Sequence, residues 1–230
     1  VDVVQLLKEF RGRVDLRHAD AWTFLLGSTY QSFPIRFYFR VKEAVEPAVA
    51  VVLLVLLAPV WLALAALILA TNGGPVLYRQ ERLGYRGKTF PLFKFRTMAK
   101  TAETSGPQWA REDDPRVTPL GRRLRRSRLD ELPQLLNVAR GELSFVGPRP
   151  ERPEFYALLD GQIPLFHLRL LVRPGITGWA QVCQGYAASV EESRRKLEYD
   201  LFYIQRMSPG LDLRVAVGTM ALMFGGGGGR

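Results

Sequence analysis

The chain has 230 residues, 47% of them hydrophobic, a size that buries one substantial core and leaves room for an appendage. A formal net charge of +10 and a pI near 10.1 point to anionic partners: nucleic acid, an acidic membrane surface or phosphorylated small molecules. The single cysteine, Cys183, excludes an internal disulfide framework, and with only His18 and His167 there is no zinc-ligand cluster.

The chain starts at Val1 rather than Met, as a fragment or a processed form does. Leu6, Leu7 and Phe10 suggest a short helix, and residues 1–32 carry no further motif. Phe33, Phe37, Tyr38 and Phe39 interleave with Arg36 and Arg40, the composition of an interfacial belt where aromatic rings meet headgroups; a short apolar strand or helix of an upstream domain has the same composition. From Ala44 to Ala70 the chain is almost wholly apolar, broken only by Glu46. As one straight helix this run would reach about 40 Å, beyond a bilayer core of roughly 30 Å. Pro59 lies near its middle, where the ring removes a helix hydrogen bond and forces a bend. Arg36, Arg40 and Lys42 precede the run and Arg79 and Arg82 follow it, which places both flanks on the cytoplasmic side. A re-entrant helix-break-helix is the economical solution, with a tilted span as the alternative.

Asn72-Gly73-Gly74-Pro75 is a turn signal, after which Val76 to Arg82 and Thr89 to Arg96 read as the arms of a β-hairpin joined through Gly84 and Gly87. Strand alternation puts Lys94 and Arg96 on one face, within common reach of a phosphate. Lys100 to Asp114 is polar and loop-like. Thr118-Pro119 has the form of an N-cap followed by Pro at the first helical position, opening a basic helix through Arg128.

Asp130 and Glu131 follow the arginine run Arg122, Arg123, Arg125, Arg126 and Arg128, and stand at the start of the next helix, which Asp130 can cap and which ends before Gly141. Adjacent carboxylates among guanidinium groups are often a solvated salt-bridge cluster. They also make a device for phosphates: the arginines hold an anionic substrate and keep the carboxylates ionised, able to attack or to bind a divalent cation. A helix N-terminus at the same place favours negative charge. Leu143 to Val146 reads as a short strand, and Gly147-Pro148-Arg149-Pro150 as a rigid turn that fixes the direction of Arg149. A helical stretch from Pro153 to about Leu171 leads into Arg173-Pro174-Gly175-Ile176-Thr177-Gly178-Trp179, where glycines admit close backbone approach, Arg173 can pair with phosphate and Trp179 can stack on a base. Val190 to Met207 is a charged helix with Asp200 and Tyr203 on one face. Leu211 to Phe224 is apolar enough to lie on core or membrane, and Gly225 to Gly229 reads as a disordered tail.

These residues resemble the bacterial sugar transferases, monotopic polyprenol-phosphate phosphoglycosyl transferases, over about residues 42–224. The likeness rests on the apolar run followed by GPVLYRQERLGYRGKTFPLFKFRTM, RLDELPQLLNVARGELSFVGPRPERPEF and RPGITGWAQV, and on the spacing of Asp200, Tyr203, Ser208 and Asp212. The GPRPERPEF form is most similar to the exopolysaccharide branch, whose members carry an additional N-terminal region. The resemblance implies an α+β fold: 1–41 a remnant of that region with the interfacial segment, 42–72 a re-entrant membrane helix, 73–224 a mostly helical cytoplasmic catalytic domain with a small β-hairpin, and 225–230 a tail. It also implies Mg²⁺-dependent transfer of sugar 1-phosphate from a UDP-sugar to undecaprenyl phosphate at the cytoplasmic face of the bacterial inner membrane. Asp130 would be the nucleophile and Glu131 its partner in proton handling or metal positioning. Lys94, Arg96, Arg125 and Arg149 would face phosphate, Arg173 and the Gly175 loop the nucleotide, and Asp200 and Tyr203 would lie near the site. Two positions depart from the family pattern: Ala58 stands where Ser often precedes the membrane proline, and Cys183 where Asn commonly follows the Trp-Ala-Gln-Val run. Inner-membrane lipid is a further expected partner, nucleic acid is not, and a homo-oligomer stays open. A membrane-tethered nucleic-acid-binding module has no use for acids that repel the phosphate backbone. A catalytically dead scaffold of the same fold has no need of an intact Asp130-Glu131 pair.

Overall fold

The computed structural model describes residues 12–14, 16, 33–102, 114–184 and 189–224. The expected helix near Leu6, the glycine tail and most of the loop expected between Lys100 and Asp114 lie outside the described residues.

Two apolar helices come first, α1 (Phe33–Leu56) and α2 (Ala58–Asn72). The aromatic belt forms the first turns of α1, with Phe33 and Phe37 stacked at 6.0 Å, so it is continuous with the apolar run. The helices meet at Leu57 with a bend of 63°. Pro59 is the cause: in an unbroken helix its ring would strike the carbonyl of Val55, whereas in the first turn of α2 its missing N–H needs no partner. Among the described residues no single helix is long and apolar enough to cross a membrane, while the bent pair together has the length and composition for it. At the bend Val55, Leu56 and Leu62 are 70%, 68% and 66% exposed, an apolar tip with no protein against it.

The expected hairpin follows as β1 (Leu77–Leu83) and β2 (Thr89–Phe95), antiparallel with Leu77 opposite Phe95 and Leu83 opposite Thr89. α3 (Pro119–Arg126) begins as the sequence predicts, with Thr118 Oγ1 accepting from Gly121 N at 3.0 Å. It stops short of Arg128, which takes a left-handed conformation at φ 57° and turns the chain into a 3₁₀ segment, Leu129–Gln134. Asp130 is therefore inside the first turn of that segment instead of capping a helix. α4 (Leu135–Ala139) completes the stretch, and Gly141 leaves it at φ 70°.

β3 (Ser144–Val146) pairs in parallel with β4 (Gly175–Thr177). The single helix expected from Pro153 to Leu171 is divided into α5 (Pro153–Asp160) and a 3₁₀ segment, Phe166–Leu171, because Gly161 and Pro164 interrupt it and Leu165 sits at φ 67°. α6 (Trp179–Cys183), α7 (Val190–Arg206) and α8 (Pro209–Phe224) close the chain. The main core joins Leu197, Leu201 and Ile204 of α7 to Phe166 and Leu168. A second cluster places Phe90 and Leu92 of β2 with Val138, Leu143 and Ala50 of α1, and a third joins Ile68 of α2 to Phe95 and Leu124. The mostly helical architecture with a small antiparallel sheet is thus seated directly on the bent helix pair.

Candidate active site

Asp130 and Glu131 are brought to β2 by the 3₁₀ segment, and both are buried, at 6% and 7% exposure. Asn137 of α4, fully buried, sets the distance between these elements. Its Oδ1 accepts from Phe93 N at 3.0 Å, and its Nδ2 donates to Pro91 O at 2.7 Å and Glu142 Oε2 at 2.6 Å. A single amide side chain thus ties α4 to the backbone on the β2 arm that carries Lys94. Lys94 Nζ then donates to Glu131 Oε1 at 2.9 Å, Arg149 Nη2 donates to the same oxygen at 3.1 Å, and Arg128 Nη1 lies 3.8 Å from it.

Three cations on Glu131 and none bonded to Asp130 Oδ1 separate the two acids. Burial works to raise both carboxyls. At Glu131 the charges of Lys94, Arg149 and Arg128 outweigh it and hold the group far below the usual carboxylate range. At Asp130 burial prevails, helped by the like charge of Glu131 and opposed by Lys94, Arg125 and Arg128, and the carboxyl is pushed up to about 6. Both acids are therefore ionised at neutral pH, Glu131 by a wide margin and Asp130 by a narrow one. Burial also lowers Lys94, against the pull of Glu131.

Asp130 Oδ1 is buried without a hydrogen-bond partner, and it is the only such carboxylate oxygen among the described residues. A buried acceptor left open costs free energy unless something else fills it. Among the described residues no third acid, His or Cys joins the pair to form a metal cluster. The donors present still fit a hard cation such as Mg²⁺, which binds one or two carboxylates and completes its octahedron with water and substrate phosphate. The carboxylates of Asp130 and Glu131 would hold it between them.

Arg149 is aimed by its backbone. Gly147 N donates to Thr177 O at 2.9 Å, Pro148 O accepts from Gly175 N at 2.9 Å, Arg149 O from Arg169 Nη2 at 2.8 Å, Pro150 O from Arg82 Nη1 at 3.0 Å and Glu151 O from Leu83 N at 2.9 Å. Prolines on either side and a bond at each of these residues leave the turn little freedom.

Of the sequence-predicted residues, Lys94, Arg149, Asp130 and Glu131 meet directly, and Arg125 lies beside them, its Nε donating to Thr97 Oγ1 at 2.9 Å. Arg96 does not join Lys94. It keeps to the same face, its guanidinium 6.0 Å from the ring of Tyr78, which stands opposite Lys94, but its Nε donates to Pro75 O at 3.0 Å and not to the acids. Gly175 serves the protein's own backbone: a Cβ there would come within 2.1 Å of Gly147 N, so the glycine is required by the close approach of β4 to the Arg149 turn. Arg173 Nη2 pairs with Glu43 of α1 at 3.2 Å. Asp200, 1% exposed, accepts from Arg169 Nε at 2.8 Å, one residue removed from the carbonyl of Arg149. Tyr203, 1% exposed, faces α1, where its hydroxyl accepts from Lys42 Nζ at 3.0 Å and lies 2.7 Å from Asp212 Oδ1. Asp200 and Tyr203 are thus walled in by protein partners and offer a ligand no surface. Arg128, Arg169 and Asn137 were missed as site residues. Arg128 stood in plain view within the arginine run, whereas nothing in the sequence marks Arg169 or Asn137.

The sequence model of the bacterial sugar transferase family matches residues 37–226. A UDP-N-acetylgalactosamine-undecaprenyl-phosphate N-acetylgalactosaminephosphotransferase of Aeromonas hydrophila is 40% identical over 99% of this chain and 53% of its own length. A UDP-glucose:undecaprenyl-phosphate glucose-1-phosphate transferase of Xanthomonas campestris pv. campestris is 40% identical over 82% of the chain and 40% of its own length. The exopolysaccharide production protein PSS of Rhizobium leguminosarum bv. phaseoli is 39% identical over 73% of the chain and 86% of its own length. The chain spans about half or less of the length of the first two. With the match running from the second turn of α1 to the end of α8, the chain belongs to the bacterial sugar transferase family.

Proposed function

We propose that the chain transfers sugar 1-phosphate from a UDP-sugar to undecaprenyl phosphate through a covalent intermediate on Asp130, at the cytoplasmic face of a bacterial inner membrane. The observation that carries this reading is the open Asp130 Oδ1, buried beside a carboxylate whose charge three cations already hold. An unpaired carboxylate oxygen raised toward neutral pH is a nucleophile in waiting, while its compensated neighbour is a fixed anchor.

In the first step Asp130 Oδ1 attacks the β-phosphorus, the bond from that phosphorus to the bridging oxygen breaks, and UMP leaves with the electron pair. In the second, a phosphate oxygen of undecaprenyl phosphate attacks the same phosphorus, the acyl phosphate bond breaks and Asp130 returns as a carboxylate. The product is undecaprenyl-diphosphate-sugar. Lys94 and Arg149, held on Glu131, present cationic hydrogen-bond donors where charge builds on the phosphoryl oxygens. Bound Mg²⁺, held by Asp130 and Glu131, would supply charge neutralisation at the diphosphate. The bent pair α1 and α2, with its exposed apolar tip, seats the catalytic domain at the membrane surface, where a lipid-borne acceptor meets a soluble donor. Relatives named for N-acetylgalactosamine and for glucose leave the sugar to be assigned.

The test is purified full chain with undecaprenyl phosphate, Mg²⁺ and a panel of UDP-sugars. UMP release from one of them, lost on chelation and independent of nucleic acid, is expected. A folded wild-type protein that releases UMP from none would favour the inactive-scaffold alternative.

A further inference from the structure

The arginine run divides on folding. Arg125 and Arg128 turn inward to Thr97 and Glu131, while Arg122, Arg123 and Arg126 are exposed along one outer face of α3. Among the described residues no carboxylate pairs with these three, whereas the buried Arg169 and the partly buried Arg173 each pair with an acid. The other side of α3 is tied to the apolar helices. Leu124 is buried with Ile68 of α2, Leu120, Trp61 and Leu64 pack on that cluster, and Asn72, the last residue of α2, donates to Thr118 Oγ1 at 3.2 Å. Gly121 lies so close to Thr97 that a Cβ would come within 2.0 Å of the Thr97 carbonyl, so α3 cannot roll to hide its arginines. Exposed Lys100 adds a fourth cation at the same end, its Nζ beside Gly73, the residue that caps α2.

The flanking cations expected to meet the membrane surface are meanwhile partly spent inside the protein. Lys42 is 7% exposed and bonded to Asp212, and Arg82 donates to Pro150 O.

We propose that the outer face of α3 is a docking surface for anionic lipid headgroups, with Arg122, Arg123 and Arg126 engaging the leaflet that receives α1 and α2. Guanidinium groups bind phosphate oxygens in pairs, and a basic face held at the foot of an apolar helix pair lies at headgroup depth. This inference rests on the membrane reading of α1 and α2, but not on the transfer reaction.

The experiment reconstitutes the full chain in phosphatidylcholine bilayers containing trace spin-labelled phosphatidylglycerol or spin-labelled phosphatidylcholine, and measures the motionally restricted fraction of each. Phosphatidylglycerol is expected to be enriched at the protein surface, by roughly fivefold for each arginine engaged at low ionic strength. R122Q/R123Q/R126Q should bring the ratio close to one, the triple lysine variant should retain most of the preference, and about 0.5 M NaCl should erase it. Circular dichroism and the thermal unfolding midpoint in neutral detergent should be the same for the wild type and the triple glutamine variant, which verifies its fold. Restricted lipid with no phosphatidylglycerol preference, or a preference that survives in the glutamine variant, would overturn the docking surface and leave the membrane reading standing. No restricted lipid of either kind would remove the membrane reading itself.

Discussion

Two buried clusters of charge flank the chain leading through Arg149, one bonded to Val146 O and the other to the Arg149 guanidinium, and only one of them is closed. Where α1 meets α7 and α8, Lys42 Nζ donates to Val146 O at 2.9 Å, Tyr203 Oη at 3.0 Å and Asp212 Oδ2 at 2.5 Å, and Tyr38 Oη donates to the same Asp212 oxygen at 2.8 Å. Ser144 Oγ donates to Glu46 Oε1 at 3.0 Å, and no buried side-chain polar atom of these residues lacks a partner. The dyad also gathers acids and cations, yet it leaves Asp130 Oδ1 open. A closed cluster specifies how two parts of a protein dock, and an open one holds a place for a reactant. The Lys42 cluster accordingly reads as the joint between α1 and the strand leading to Arg149, and the Asp130-Glu131 pair as the place proposed for the chemistry.

The comparison breaks most sharply at Asp130. Asp130→Asn should reduce UMP release by about 10⁴-fold or more, as removal of a nucleophile does, while the protein remains folded. The same substitution should raise stability at pH 7 by about 1–3 kcal/mol, measured by denaturant unfolding, because it removes a carboxylate whose burial opposes ionisation. The sign follows from the raised value. The folded state keeps this proton up to about pH 6, against 3.8 for the ordinary group, so its contribution to stability declines as pH rises through that window. Lys94→Met should lower the rate about 10²- to 10³-fold, the usual effect of losing one preorganised donor at a developing charge.

The rate of UMP release should fall as pH drops through about 6, since protonated Asp130 cannot attack, and a pH–rate profile of the wild type checks it. At the closed cluster the pattern reverses. Lys42→Met strands the carboxylate of Asp212 and should cost about 3–5 kcal/mol of stability, with the rate per folded molecule changed by less than about tenfold. Ser144→Ala, which removes one bond to Glu46, should cost about 1 kcal/mol and leave turnover alone. A Lys42 variant that is stable but inactive would erase the distinction between the two clusters.

Local chemistry was legible in the sequence. Thr118 caps α3, Gly84 and Gly87 turn the hairpin, Pro59 marks the bend, and the Asp130-Glu131 pair sits beside Lys94 and Arg149. These features depend on residues close in the chain, or on a few charges with no alternative partner nearby. The misread residues depend on distant ones. Strand periodicity does carry Arg96 to the face of Lys94, over the ring of Tyr78 at 6.0 Å, but its Nε is taken by the Pro75 carbonyl and it does not reach the acids. Gly175 was read as a place where a ligand approaches, and what approaches is the backbone of Gly147, a distance no local pattern encodes. Asp200 and Tyr203 do share the buried side of α7, as their spacing requires, but burial beside Arg169 and Lys42 withdraws them from solvent. For Lys42 a signal exists in the sequence: a lysine one turn ahead of Glu46 in a segment with few charges asks for an acidic partner, in place of the flanking surface cation that the positive-inside pattern suggests.

The central claim, that Asp130 carries the sugar phosphate, is tested most directly by supplying a UDP-sugar and Mg²⁺ with no undecaprenyl phosphate and weighing the protein. A stoichiometric burst of UMP is expected, with a mass increase of one sugar phosphate, mapped by peptide analysis to Asp130 and discharged when undecaprenyl phosphate is added. A protein that turns over with both substrates, yet gives neither burst nor adduct with the donor alone, would contradict it.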